Sequence, residues 1–345
     1  MKTTAALLVE TGKPLEVVEL EIPRLQEGQV LVKVHYSGCC HTQVLEVRGY
    51  RGIDQWCPHC LGHEGSGEVV DCGPNITKVS VGEFVVLGWI KGVGADVTRS
   101  IYDWSGTRVN AGAITTFSKF AVVSENRVTR CPENINLRDA TLLGCAAPTG
   151  MGAVTNVCNA QTGQTLAVFG VGGIGLCAIA AAVAQNCEAI IGIDVNESKL
   201  SLAKRMGATH CINARKTDPI LEISDIVSGG LDFAIEASGQ IVPMKQALEV
   251  VRPQGGVAVI IGNTRAGEML EIDPKQLNLG KRIFGTWGGD TQPDRDYDKY
   301  SEILVSDNFD IDALVSKPYS LNQINQALDD LEVGNVGRPI IDMAL

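Results

Sequence analysis

The sequence predicts an α/β protein of two domains, one β-rich and one built on a doubly wound parallel sheet. Three observations carry this. A chain of 345 residues is longer than a single hydrophobic core comfortably serves. Its first part is a series of short β-branched runs broken by Gly, Pro, Asn and Asp, which is strand-and-turn chemistry. From Thr165 onward, apolar strands alternate with helical stretches, the pattern of a parallel sheet covered on both faces. The expected division is 1–149 with 288–345 for the β-rich domain and 150–287 for the parallel sheet.

In chain order, Val30–Ser37, Gly67–Gly73, Gly82–Ile90 and Phe117–Ser124 read as strands of a small barrel or sandwich with long loops. The stretch 91–115 is Gly-rich and is expected to be irregular, anchored by Tyr102 and Trp104. Beyond Thr165, the runs TLAVFG, AIIGIDV, THCINA, LDFAIEAS, GGVAVIIG and RIFGTW supply six strands with helices or loops between them. The tail carries one helical stretch of period near 3.6, with Leu321, Ile324, Ala327, Leu328 and Leu331 on one face. There are no internal repeats and no low-complexity segments.

Composition excludes several function classes. A net charge of −11 with no basic run is the wrong electrostatics for nucleic acid or an anionic membrane, both of which need clustered Lys and Arg. The N-terminal residues lack an apolar core long enough for a secretory signal. The apolar window Leu166–Ala184 is too rich in glycine to read as a membrane span. Eleven cysteines, an odd number without a secretory signal, read as reduced thiols, metal ligands or core fillers. A cytoplasmic protein is expected.

FGVGGIG places Gly170, Gly172 and Gly175 in G-x-G-x-x-G register, with Gly173 and Ile174 completing the loop. The motif alone is weak, but here it follows an expected strand and opens an expected helix. The first glycine makes the tight turn, the second lets backbone meet a pyrophosphate, and the third lets helix and strand pack closely. The helix N-terminus adds free N–H groups and positive dipole. Asp194 lies at the end of the next strand, where a carboxylate accepts hydrogen bonds from ribose hydroxyls and repels a 2′-phosphate. This points to NAD rather than NADP, with Lys199 positioned to cover the same ribose. The plain alternative is a Gly-rich turn in an α/β domain that binds something else.

Four of the eleven cysteines and three of the five histidines fall between Ser37 and Gly67. Thiolate and imidazole are the donors zinc prefers. No pair there has zinc-finger spacing to a second pair, so an open site completed by a distant residue fits better than a closed one. Within it, Cys57 and Cys60 form C-x-x-C around His59. A second metal or a redox disulfide is one interpretation; core-facing cysteines are preferred. Cys72, Cys131, Cys158, Cys177, Cys187 and Cys211 are expected to fill cores.

A dinucleotide loop beside such a stretch resembles the zinc-dependent alcohol dehydrogenases of the medium-chain dehydrogenase/reductase family. The motifs that carry the resemblance are GCCHT at 38–42, GHEGSGEVV at 62–70, LLGCAAPTGMGAV at 142–154, GVGGIG with Asp194, and the terminal GRPIID. The tail looks most like the branch shared by ordinary alcohol dehydrogenases and glutathione-dependent formaldehyde dehydrogenase. The resemblance implies a GroES-like catalytic domain and a Rossmann domain. It implies a catalytic zinc on Cys40, His63 and Cys145, with the fourth position open to water or substrate oxygen. Cys39 is the competing ligand, one residue away. Glu64 is implied to tune the metal from behind the ligands, and Thr42 to accept the proton of an alcohol; the plain alternative for Thr42 is a cap on the turn after Cys40. His41 and Arg338 match pyrophosphate-contacting positions, with a surface charge as the alternative for either. Thr149 matches a position beside the nicotinamide, and Trp89 the aromatic that narrows the substrate pocket.

Three departures qualify the resemblance. No cysteine lies between Cys72 and Cys131, so the second, structural zinc of many relatives is expected to be missing. The lobe at 91–112 must then be held by packing or a subunit contact. Gln43 stands where relatives commonly have Asp, and Leu45 where some place a proton-relay His. The expected function is reversible hydride transfer between a primary or secondary alcohol or polyol, or the matching aldehyde or ketone, and NAD. A zinc-free NADPH-dependent reductase and a non-catalytic nucleotide-binding sensor are the alternatives. The expected partner is a small molecule, with a homodimer or homotetramer pairing near Val257–Ile261.

Overall fold

The computed structural model describes every residue except Thr98, Ser316 and Asn335. Strands β1 (Lys2–Leu8), β2 (Glu16–Glu21), β3 (Gln29–Gly38), β4 (His59–Cys60), β5 (Glu64–Cys72), β6 (Phe84–Gly88), β7 (Ile101–Trp104), β8 (Thr107–Asn110), β9 (Phe120–Ser124) and β10 (Val128–Arg130) occupy the first part of the chain. Helix α1 (His41–Val47) follows β3, and α2 (Leu137–Ala140) follows β10. Strands β1, β2, β7, β8 and β4 close into a barrel. A second sheet runs β10–β6–β5–β3, with β9 also pairing on β3. Alternation along the strands buries Val30, Val32, Val34, Val69, Val85 and Leu87 in one core, and Leu7, Leu20, Tyr102, Val109 and Val122 in another.

The lobe at 91–112 corrects the expectation of irregular chain. It contains the hairpin β7–β8, whose turn residues Ser105 and Gly106 both have positive φ, 52° and 89°. Such a turn matches the twist of paired strands. Tyr102 is buried, and its hydroxyl accepts the Val122 N–H at 2.7 Å. The buried Glu125 carboxylate accepts backbone N–H groups of Thr77 (2.8 Å), Lys78 (3.0 Å) and Ala95 (2.8 Å). These contacts hold the lobe from within the chain.

Further on come α3 (Ala146–Gly152), β11 (Thr165–Phe169), α4 (Gly173–Ala184), β12 (Ala189–Asp194), α5 (Glu197–Arg205), β13 (His210–Asn213), α6 (Pro219–Ile226), β14 (Phe233–Glu236), α7 (Ile241–Val250), β15 (Val257–Ile260), α8 (Pro274–Asn278) and β16 (Arg282–Gly285). All pairings among these strands are parallel, in the order β13–β12–β11–β14–β15–β16. That is the strand order of a dinucleotide-binding sheet. β15 is interior, so the exposed edge is β16 and not the Val257–Ile261 segment expected from sequence. β13 forms the other edge. Its Cys211 is exposed and Cys72 and Cys131 are half-buried, which corrects their expected role as core fillers; Cys158, Cys177 and Cys187 are buried.

The chain ends with α9 (Pro293–Leu304), α10 (Ile311–Val315), α11 (Ile324–Val333) and β17 (Ile340–Asp342). α11 buries Ile324, Ala327, Leu328 and Leu331 and stops at Gly334, whose φ of 79° forms a left-handed cap. β17 pairs antiparallel with β3, setting Ile340 opposite Gly38.

Two units emerge: Met1–Cys145 with Gln292–Glu302 and Leu314–Leu345, and Ala146–Thr291 with Ile303–Ala313. The span 288–345 is thus divided, and Ile303–Ala313 clusters with the parallel sheet, where Asp310 pairs with Arg205 of α5. Among the described residues, no helix is long and apolar enough to cross a membrane.

Candidate metal centre and cofactor loop

Three chain segments of the first unit bring the Cys and His side chains together. β3 ends at Gly38. Cys39 turns into the hydrophobic core, fully buried, while Cys40 begins α1 with an extended backbone. Neighbouring residues therefore face opposite ways, which separates Cys39 from Cys40. His63 follows Gly62, whose φ is +92° and where a Cβ would meet Thr116 Oγ1 at 2.4 Å and the Phe117 nitrogen at 2.6 Å. Only glycine passes there. Cys145 follows a 3-10 turn, and Gly144 before it lies so close to Leu87 that a Cβ would meet its carbonyl oxygen at 2.4 Å.

The result is one group of donors. The ligand atoms of Cys40, His63 and Cys145 all lie within 4.8 Å of one another. This is the scale set by zinc's bond lengths of about 2.0–2.3 Å to imidazole and thiolate. It is the one such group of three among the described residues, and two thiols with one imidazole leave a tetrahedral ion its fourth position. The Cys145 thiol hydrogen-bonds to Cys40, which holds Cys40 well below an ordinary thiol and pushes Cys145 well above it. By contrast, burial pushes the Cys60 thiol up to about 12. The donor set fits a zinc ion.

The surroundings balance charge. Glu64 opens β5 with its carboxylate fully buried and ion-paired with Arg338. Gly38 makes room for it, since a Cβ would approach Glu64 Cδ to 2.7 Å. Burial raises the Glu64 carboxyl and the neighbouring Arg338 guanidinium opposes that rise. Arg338, 3% exposed, is thus a partner of Glu64. Thr42 Oγ1 is 3.7 Å from Cys40 Sγ, and His41 is exposed at the first turn of α1. The Trp89 and His63 rings meet in a T-shaped arrangement, centroids 6.5 Å apart. Gln43 hydrogen-bonds both the Cys40 N–H and His63 Nδ1; sequence marked it only as a departure.

Cys57, His59 and Cys60 stand apart from this group. Cys60 is buried in the barrel core and Cys57 packs on the neighbouring core. His59 Nδ1 is 2.8 Å from Asp54 Oδ2.

In the second unit, the loop after β11 behaves as its glycines require. Gly170 has φ +87°, and a Cβ would strike the Ser238 nitrogen at 2.7 Å. A Cβ on Gly172 would meet nothing within 4 Å, whereas one on Gly175 would lie 2.0 Å from the Gly170 oxygen. The backbone is thus open at the second glycine and closed at the third. Gly173 is the first residue of α4, followed by Ile174. Asp194 ends β12 and fixes this corner: its carboxylate accepts the N–H groups of Val171 (3.0 Å), Val195 (2.7 Å) and Asn196 (3.0 Å). Lys199 lies half-buried on α5, and Thr149 is buried in α3. Glu236, not singled out from sequence, ends β14 fully buried and accepts the Ser238 and Gly239 N–H groups at 2.7 and 2.9 Å. A carboxylate inside the apolar run FAIEAS is the signal that could have found it.

Residues 26–133 match the alcohol dehydrogenase GroES-like domain, and residues 173–306 the zinc-binding dehydrogenase family. An S-(hydroxymethyl)glutathione dehydrogenase of Synechocystis sp. is 34% identical, over 99% of this chain and 100% of that protein. The chain belongs to the zinc-dependent alcohol dehydrogenases of the medium-chain dehydrogenase/reductase family. Among solved members, an alcohol dehydrogenase zinc-binding domain protein of Burkholderia ambifaria is 30% identical with a TM-score of 0.91. Benzyl alcohol dehydrogenase of Acinetobacter calcoaceticus is also 30% identical, with a TM-score of 0.89. Each comparison covers 99% of both chains. This zinc-dependent alcohol dehydrogenase therefore has the GroES-like and Rossmann folds implied by its motifs.

Proposed function

We propose that the chain catalyses reversible hydride transfer between a primary or secondary alcohol or polyol, or the matching aldehyde or ketone, and NAD, assisted by one zinc ion per chain. The observation that carries this is the convergence of Cys40, His63 and Cys145 with one coordination position left for a substrate oxygen. Bound there, zinc supplies a Lewis acid that lowers the pKa of an alcohol hydroxyl. The nicotinamide, when bound, supplies the hydride acceptor.

The chain's own residues do the rest. Cys40, His63 and Cys145 hold the metal, and Glu64 with Arg338 fixes the charge behind it. Thr42, beside Cys40, takes the hydroxyl proton, with His41 the basic group one residue away. Trp89 beside His63 narrows the space left to the substrate. Gly170, Gly172, Gly173, Ile174 and Gly175 receive the pyrophosphate, with the exposed His41 its basic partner, while Arg338 is engaged by Glu64 and Thr149 lies against the nicotinamide. Asp194 and Lys199 take the adenosine ribose, and the Asp194 charge favours NAD over NADP.

No structural zinc belongs to this account. It is supported by the absence of cysteine between Cys72 and Cys131 and by the hairpin and Glu125 contacts that hold the lobe. The working protein is a cytoplasmic homodimer or homotetramer acting on a small molecule, without nucleic acid or membrane. Edge strand β16, with Phe284 43% exposed and Trp287 72% exposed nearby, supports pairing there. Following NADH absorbance with a panel of alcohols, polyols and aldehydes, S-(hydroxymethyl)glutathione and benzyl alcohol included, tests the proposal. NAD-dependent turnover of at least one is expected; a preference for NADPH, or turnover by none, contradicts it.

A further inference from the structure

Glu236 is a fully buried carboxylate inside the apolar run FAIEAS. Burying such a group costs free energy unless hydrogen bonds replace its water. Here they replace it on one side. Oε1 accepts the N–H groups of Ser238 and Gly239 at 2.7 and 2.9 Å, while Oε2 has no hydrogen-bond partner among the described residues. Packing of the sheet alone does not account for a carboxylate at this position. Its place at the end of β14 does.

β11 and β14 are neighbours, with β12 and β13 on one side of them and β15 and β16 on the other. Chain order reverses between the two strands, and a dinucleotide crosses a parallel sheet at the carboxyl ends of such a pair. The turn at 237–239 is wedged there between two loops. On the β11 side, the Ala237 N–H donates to the Phe169 oxygen at 2.8 Å, and a Cβ on Gly170 would strike the Ser238 nitrogen at 2.7 Å. On the β15 side, a Cβ on Gly239 would meet the Asn263 oxygen at 2.5 Å. One on Gly262 would meet the Gly239 nitrogen at 2.1 Å and Glu236 Oε2 at 2.6 Å. Backbone this closely packed transmits a displacement instead of absorbing it. The N–H groups held by Oε1 fix the turn, and the turn fixes the first glycine of the cofactor loop. Asp194 secures the same loop from β12 through the Val171 N–H, so a carboxylate at the end of each strand flanking β11 holds it.

We propose that Glu236 is a positioning residue for the dinucleotide: by holding the Ser238 and Gly239 N–H groups, it sets the turn that keeps the 170–175 loop in its pyrophosphate-receiving form. The inference rests on the NAD reading of that loop.

Two variants of the full-length protein test it. Glu236→Leu removes both acceptor oxygens and keeps a side chain suited to an apolar strand, whereas Glu236→Gln keeps one oxygen to accept the two N–H groups. Isothermal titration with NAD is expected to give a Kd raised about 10-fold in Glu236→Leu, which is about 1.4 kcal/mol and the scale of one lost hydrogen bond. Glu236→Gln should return the Kd to near the wild-type value. In turnover, Glu236→Leu should raise the KM for NAD and leave kcat at saturating NAD and the KM for the alcohol near wild type. An unchanged NAD Kd, a Glu236→Gln variant as weak as Glu236→Leu, or kcat and both KM values altered together overturns the proposal. Amide hydrogen exchange of the wild type needs no variant to fold. NAD is expected to slow exchange at Ser238 and Gly239 together with 171–175, and slowing confined to the glycine loop overturns the proposal. A wild-type chain that binds no NAD removes the cofactor reading and this proposal together. NAD binding indifferent to Glu236→Leu removes only the role of Glu236.

Discussion

The Arg338 guanidinium closes on the Glu64 carboxylate with both side chains withdrawn from solvent, 3% and 0% exposed. The pair joins the segment before β17 to the first residue of β5, next to the Cys40–His63–Cys145 donors. Removing one partner strands a buried charge, which costs about 3–5 kcal/mol. Arg338→Met is expected to lower unfolding stability by that amount in urea titrations. Glu64→Gln with Arg338→Met together should recover part of the loss, because the double variant leaves no uncompensated charge.

Gly62 sets the position of His63 through a backbone that no side chain fits. Gly62→Ala forces a Cβ into Thr116 and Phe117 at positive φ, and overpacking of this kind costs about 1–3 kcal/mol. Reduced zinc content in the folded variant, measured by atomic absorption, is the expected outcome. Full zinc and unchanged stability would show that the clash is relieved without moving His63.

Glu125 ties the lobe at 91–112 to the body of the first unit, and its effect is pH-dependent. Burial alone raises its carboxyl, but the N–H groups of Ala95, Thr77 and Lys78 outweigh burial and hold it below the usual range. A group depressed in the folded state contributes stability above its unfolded pKa of about 4.3 and loses that contribution as pH falls through the folded value. Glu125→Gln is accordingly expected to destabilise the protein at pH 7, by a margin that narrows as pH falls below that value. Denaturant midpoints of the two proteins across pH 3–7 check this, and a constant gap would contradict it.

Asp194 joins cofactor choice to loop geometry, because the carboxylate proposed to meet the ribose also holds the Val171, Val195 and Asn196 N–H groups. Asp194→Asn removes the charge while keeping an acceptor. It should shift the ratio of kcat/KM for NADP over NAD upward by about 10-fold or more, one such factor being worth about 1.4 kcal/mol. An unchanged ratio would place the source of selectivity elsewhere.

Much of this was legible in the sequence because period and glycine spacing are local signals. The six parallel strands and the Gly170–Gly175 loop follow from runs such as TLAVFG and AIIGID, whose burial on both faces leaves little polar alternation. The Cys40–His63–Cys145 group was legible only through its resemblance to a family, since spacing cannot bring Cys145 to Cys40. The hairpin at Ile101–Asn110 was hidden by short strands and a Ser-Gly turn inside a Gly-rich stretch. The edge at β16 was misplaced because strand order in a sheet depends on non-local pairing. Gln43 looked like a simple loss of charge; its hydrogen bonds to the Cys40 N–H and to His63 exist only once α1 and the turn before β5 are side by side.

A single zinc held by Cys40, His63 and Cys145 is proposed to be required for hydride transfer to NAD. The direct measurement is zinc content per chain alongside NADH formation, before chelation, after it, and after zinc is returned. One zinc per chain, activity abolished by chelation, and recovery on adding zinc is the predicted result. Full activity in a verified metal-free sample would contradict it.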